Sequence, residues 1–361
     1  MRVISALICL LALQITLSAQ TKDAGPVDFE KARGYLRREQ AGETLTASER
    51  AYLERAKAER ARGSGRKDAE PAKSAVTSTG MTPLTELKSD HRGESGGLYG
   101  EGANVPPPKL AEAATQAAAG IRPLDPAGKP SETGRIVLLS IGMSNTTQEF
   151  SAFQTLSDQR GARAKNVVLV DGAQGGQSAD RIADPEAGFW KVIAQRLQKA
   201  GVSAPQVQAV WFKQAFPGPR SPFPAEAARL KDYIAQDLAA LRKHCPGVRL
   251  VFFSSRIYAG HARTGLNPEP HAYESAFAVR WTIMDQLKDG GLKPGAPVLV
   301  WGPYLWADGL RPRASDGLVW KPEDFGPDGT HPSPAGRQKV AEQLEQFLTT
   351  SPFSKGWYVG R

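Results

Sequence analysis

The hydrophobic pattern divides the chain into an irregular first third and a regular remainder. From Arg135 onward, short runs of Val, Leu and Ile alternate with longer amphipathic stretches. The runs predict strands at 136–141, 166–170, 207–213, 248–254 and 297–301. The stretches between and after them predict helices at 146–160, 187–200, 222–244, 271–289 and 334–348. Strands that are apolar throughout belong to a sheet covered on both faces, and strand–helix alternation belongs to parallel pairing. The expected fold is a three-layer α/β/α domain around a parallel five-stranded sheet. Thr146 and Glu149 have the spacing of a capping box and set the start of its first helix.

Upstream, residues 28–62 read as two helices with a thin apolar stripe: Phe29, Ala32 and Leu36, then Tyr52, Leu53 and Ala56. Thr46 with Glu49 makes a second capping box. Residues 63–80 lack periodicity and read as linker. Residues 81–134 hold Pro106-Pro107-Pro108 and an Ala-rich helix near 109–119, and are expected to wrap the main domain. The first 19 residues, with Arg2 ahead of an apolar run from Val3 to Leu17, read as a secretory signal peptide. The division is thus 1–19 signal, 20–80 helical hairpin and linker, 81–134 wrapping segment and 135–361 main domain. Export to periplasm or exterior follows, with no integral span after cleavage; a retained N-terminal anchor is the alternative.

Composition narrows the partners. The net charge is +9, and residues 31–70 carry eleven Lys or Arg against seven Asp or Glu. A basic balance suits nucleic acid or acidic polymers, but no aromatic-interleaved basic motif is present, and nucleic acid is not expected for an exported chain. A solvated helical face accounts for the charge. Cys9 lies in the signal segment, which leaves Cys245 alone and excludes an intrachain disulfide or a cysteine metal site. His244, His261 and His271 lack zinc spacing and no glycine-rich phosphate loop occurs, so neither metal nor organic cofactor is expected. Oligomeric state is not set by any of these features.

The chemistry lies in two segments 187 residues apart. Ser144 directly follows the first predicted strand, at the sheet edge where open α/β folds hold their sites. Asp328-Gly329-Thr330-His331 places a carboxylate three residues before a histidine, on a turn that glycine permits. A histidine base needs such a carboxylate to hold its tautomer, and a serine nucleophile needs such a base. Ser144 as an ordinary helix-start serine and Asp328 as a turn residue are the plain alternatives.

These residues resemble the SGNH (GDSL-like) hydrolases over roughly 134–350. Gly142-Met143-Ser144-Asn145 is similar to the block I form of the carbohydrate acetylesterase branches, and Asp328-x-x-His331 to the terminal block. The resemblance implies a flavodoxin-like SGNH fold, a Ser144–His331–Asp328 triad, and an oxyanion hole from the Ser144 amide, a block II glycine and a block III amide. Asp171-Gly172-Ala173-Gln174-Gly175-Gly176-Gln177-Ser178 resembles block II, with Gly176 or Gly175 as donor and Asp171 as brace. Block III departs from the family pattern: Lys213-Gln214-Ala215-Phe216 replaces Gly-x-Asn-Asp, and Gln214 offers the amide on a longer stem. Asn145, Lys213, Arg256, Tyr258 and Trp306 are candidate substrate contacts, Arg256 for a carboxylate or sugar hydroxyls. Trp301, Tyr304, Trp306 and Trp320 suit either sugar stacking or core packing. The implied activity is a secreted esterase acting on acylated, above all O-acetylated, carbohydrate. A glycan O-acetyltransferase and a non-catalytic carbohydrate-binding relative are the rivals.

Overall fold

The computed structural model describes residues 27–40, 44–63, 77–288, 291–293 and 295–360. The expected signal segment lies outside them. The chain divides into two compact units, 1–71 and 72–361.

The first unit contains α1 (Phe29–Gln40) and α2 (Ala47–Gly63). They pack on each other around Val27, Ala32, Leu45, Leu53 and Ala56. The Thr46–Glu49 capping box forms: the Thr46 amide donates to Glu49 at 2.8 Å, and the Glu49 amide to the Thr46 hydroxyl at 3.3 Å.

In the second unit a short ribbon, β1 (Asp90–His91) and β2 (Glu94–Ser95), precedes α3 (Pro108–Ala119). Strand–helix alternation follows: β3 (Ile136–Gly142), α4 (Ser144–Arg160), β4 (Val167–Asp171), α5 (Ala179–Ile182), α6 (Gly188–Lys199) and β5 (Val207–Lys213). The chain continues through α7 (Ala225–His244), β6 (Leu250–Phe253), α8 (His271–Asp285), β7 (Val298–Trp301), α9 (Pro334–Thr350) and α10 (Lys355–Tyr358). The five-stranded sheet runs β4-β3-β5-β6-β7 with every pair parallel. One face is covered by α3, α4, α9 and α10 and the other by α5 to α8, which makes three layers. The expected α/β/α fold is the observed one.

Every residue of β3, β5, β6 and β7 is buried. Adjacent positions point to opposite layers. Trp211 therefore stacks on Phe150 of α4, and Phe252, its register partner, meets Phe347 and Trp357. Phe212 and Phe253 pair on the other face. Each such side chain contributes about 2 kcal/mol by leaving water. The stretch before β3 is tied to this core: Leu84, Leu110 and Ala114 are fully buried, and Trp301 Nε1 donates to Leu98 O at 2.6 Å.

One local expectation fails. α4 begins at Ser144, and Thr146 and Glu149 do not cap it. The Thr146 hydroxyl donates to Lys213 O at 2.9 Å, and Glu149 takes both its bonds from Lys213 Nζ, at 2.6 and 2.5 Å. Lys213 and Glu149 are both 0% exposed at their side chains, so each needs the other more than the helix needs a cap.

Candidate active site

The strand order puts the first strand, β3, between β4 and β5, so its two connections leave in opposite directions. That point is where the carboxyl ends of a parallel sheet open a crevice. Ser144 stands there as the first residue of α4, where its amide has no acceptor within the helix. Ser144 Oγ lies 2.7 Å from His331 Nε2, and His331 Nδ1 lies 2.5 Å from Asp328 Oδ2. The other Asp328 oxygen accepts the amides of Thr330 and His331, each at 3.0 Å. Burial pushes the Asp328 carboxyl up, but the His331 ring and these amides outweigh it and hold it below its ordinary value. The arrangement keeps a carboxylate on Nδ1 and presents Nε2 to the serine.

The turn that carries this pair is held from outside. Gly329 adopts φ +66°, and a Cβ built there would lie 1.8 Å from His261 O. The Arg263 amide donates to Asp328 O at 2.9 Å, so the 261–271 loop lies against the turn. Asn145 Nδ2 donates to Thr330 O at 3.0 Å and links the serine segment to the histidine segment.

The block II stretch is braced by buried polar bonds. Asp171 accepts the Ser140 hydroxyl at 2.5 Å and the Thr147 hydroxyl, while Arg196 donates to Asp171 O at 2.7 Å and Ala173 O at 2.8 Å. Burial pushes the Asp171 carboxyl up in spite of these donors. Gly176 has φ +75° and lines the cavity beside Ser144, whereas Gly175 does not. Gln214 is buried, donates one amide hydrogen to Gln177 O at 3.0 Å, and is not among the cavity residues.

The cavity is small, about 70 Å³, with Ser144, His331, Asn145, Gly176, Ser178 and Arg256 in its wall. Phe216 and Pro217, just after β5, and Leu266 and Asn267 of the 261–271 loop also line it, and the sequence offered none of the four as a site residue. Three expected substrate contacts are placed elsewhere. Lys213 is sealed against Glu149, and burial pushes its pKa down to about 8. Tyr258 and Trp306 are 0% exposed, and Trp306 Nε1 donates to Glu269 at 2.7 Å. Burial raises that Glu269 carboxyl to about 7 against its three donors. Trp301 and Trp320 likewise bond backbone carbonyls in the core. A larger cleft of about 340 Å³ between α7 and residues 285–299 contains none of the catalytic candidates. Among the described residues no cluster of three potential metal ligands occurs, and no helix is long and apolar enough to cross a membrane.

The sequence matches no known protein family and no curated protein. Solved structures of similar fold include the periplasmic domain of a lipopolysaccharide acetyltransferase from Salmonella ser. Paratyphi A, at 12% identity over 66% of this chain and 96% of that one, TM-score 0.37. A carbohydrate esterase family 2 enzyme with its carbohydrate-binding domain, from Corynascus thermopiles, is 13% identical over 61% of this chain and 67% of that one, TM-score 0.34. An extracellular lipase from Streptomyces rimosus is 13% identical over 59% of this chain and 99% of that one, TM-score 0.30. At these identities and TM-scores the likeness says nothing of this chain's role.

Proposed function

We propose that the protein is a serine esterase that removes short acyl groups, O-acetyl above all, from carbohydrate. The observation that carries this reading is the continuous Ser144–His331–Asp328 hydrogen-bonded chain in the wall of a cavity. In the reaction Ser144 Oγ attacks the ester carbonyl as its proton passes to His331 Nε2, and Asp328 stabilises the imidazolium. The same proton then goes to the departing alcohol, leaving the acyl group on Ser144. Water attacks next, gives a proton to His331, and the carboxylic acid leaves as that proton returns to Ser144.

The negative charge on the carbonyl oxygen meets the free amide of Ser144 at the positive end of α4 and the Gly176 amide. Gly176 is favoured over Gly175 because it lines the cavity. Gln214 stands outside the cavity wall with its amide on Gln177 O, so it is not assigned to this oxygen. Each donor of this kind is worth about 3 kcal/mol of barrier. The cavity volume of about 70 Å³ suits an acetyl-sized group. Export is part of this reading and rests on the apolar N-terminal stretch.

Hydrolysis of p-nitrophenyl acetate by the protein and by Ser144→Ala tests it. The expected result is activity that vanishes in a variant whose circular dichroism and unfolding midpoint are unchanged. Equal rates in both proteins, or none in either between pH 6 and 9, would overturn the assignment.

A further inference from the structure

Arg256 follows β6 and enters the wall of the catalytic cavity beside Ser144 and His331. The residue is 2% exposed, and its Nε has no hydrogen-bond partner among the described residues. Guanidinium does not shed its proton in proteins, so this is a fixed, buried positive charge. Burial pulls its pKa down, and Glu149, Glu269 and Asp328 act on it only through space. All three are engaged with other groups: Glu149 with Lys213, Glu269 with Trp306 and two amides, Asp328 with His331. Two neighbours share the deficit. Asn267 Oδ1, also in the cavity wall, and Ser255 Oγ are buried without hydrogen-bond partners among the described residues.

A buried charge with open hydrogen-bonding capacity is costly unless a partner completes it. A sugar hydroxyl would satisfy one N–H and leave the charge uncompensated. A carboxylate satisfies both, and its flat geometry matches the guanidinium fork. We propose that Arg256 is the recognition residue for a carboxylate on the substrate, so that the preferred ester is anionic, such as an acylated acidic sugar. This inference rests on the esterase reading and adds the substrate's charge to it.

The test uses the full protein, Arg256→Gln and Arg256→Lys on two matched pairs of esters. p-Nitrophenyl hemisuccinate against p-nitrophenyl acetate puts the carboxylate in the acyl half. O-acetylated galacturonate against O-acetylated galactose puts it in the alcohol half. The expected wild-type preference for the anionic member of one pair is about 100-fold in kcat/KM, the scale of one charge-assisted buried contact. Arg256→Gln is expected to bring that ratio close to one, chiefly through KM, and Arg256→Lys to keep part of it.

No wild-type preference in either pair would overturn the proposal. An equal fall on charged and neutral esters in Arg256→Gln would also do so, by showing that the guanidinium serves the reaction's own oxyanion. If the wild type cleaves none of the four, the esterase reading fails, and calorimetric binding of succinate and galacturonate against galactose decides the matter. Charge-dependent binding that Arg256→Gln abolishes upholds the carboxylate site, and its absence sinks it.

Discussion

Replacing Gly329 by alanine probes the turn on which the histidine and its carboxylate sit. Two costs arise from the geometry. The φ of +66° is one that L side chains adopt at a penalty of about 1–2 kcal/mol. The new Cβ would also lie 1.8 Å from His261 O, where contacts below 3.0 Å are essentially never seen. The turn or the loop must therefore open by more than about 1 Å, which the Arg263–Asp328 backbone bond at 2.9 Å resists. Together these make a destabilisation of about 3 kcal/mol, or roughly 1 M in the urea midpoint. The same displacement stretches the 2.7 Å Ser144–His331 contact past hydrogen-bond range. Misplacement by 1 Å costs on the order of 100-fold in rate. The assays are urea unfolding followed by circular dichroism and p-nitrophenyl acetate turnover. Gly329→Asn separates the two causes: asparagine tolerates positive φ but carries the same Cβ, so it should recover about 1 kcal/mol of the φ penalty and keep the clash. A Gly329→Ala protein with an unchanged midpoint and full turnover would refute the argument.

Other perturbations have outcomes set by burial. Glu149→Gln leaves Lys213 buried without its counter-charge and is expected to cost about 3 kcal/mol of stability; a loss under about 1 kcal/mol in urea unfolding would contradict a tightly coupled pair. Asp237 on α7 is fully buried, neither carboxyl oxygen has a hydrogen-bond partner among the described residues, and burial followed by the Asp180 charge raises its pKa well above 3.8. Because the unfolded chain releases this proton at lower pH than the native one, native stability falls as pH rises from about 4 towards the raised value, by up to about 1.4 kcal/mol per unit. Asp237→Asn removes that slope, so its stability relative to wild type should increase between pH 4.5 and 7.5. A difference that stays flat across this range would show that Asp237 ionises normally.

How much was legible in the sequence depends on whether a residue's role was local. The five strands and their helices were, because unbroken Val, Leu and Ile runs have no stable place except a sheet covered on both sides. The Asp328–His331 pair was legible for the same reason: three residues on one turn define their own geometry. Thr46–Glu49 capped α2 as its spacing required, with Glu49 also bonded to Arg38 at 2.6 Å. Thr146–Glu149 has the same spacing and did not cap α4, because β5 delivers Lys213 into the interior and a buried ammonium outbids a helix end for the carboxylate. The two boxes are indistinguishable as strings.

The aromatic residues after β7 show the same limit. Trp301, Trp306 and Trp320 suited sugar stacking by position in the chain, yet each indole finds an acceptor in the interior, and no pattern along the sequence reports where an N–H will be satisfied. The wall of the cavity was the least legible part. Phe216 reaches the cavity from the chain leaving β5, and Leu266 and Asn267 from the distant 261–271 loop. Arg256 could be named as a candidate from its place after a strand, but its buried and unpartnered state is a property of everything packed around it. By itself the sequence determined the layers, the strand assignments and the Asp328–His331 turn, since these follow from periodicity and from groups close along the chain. Tertiary structure alone decided which polar residues pair in the interior and which remain open to a ligand, because desolvation and contact depend on neighbours that are remote in sequence.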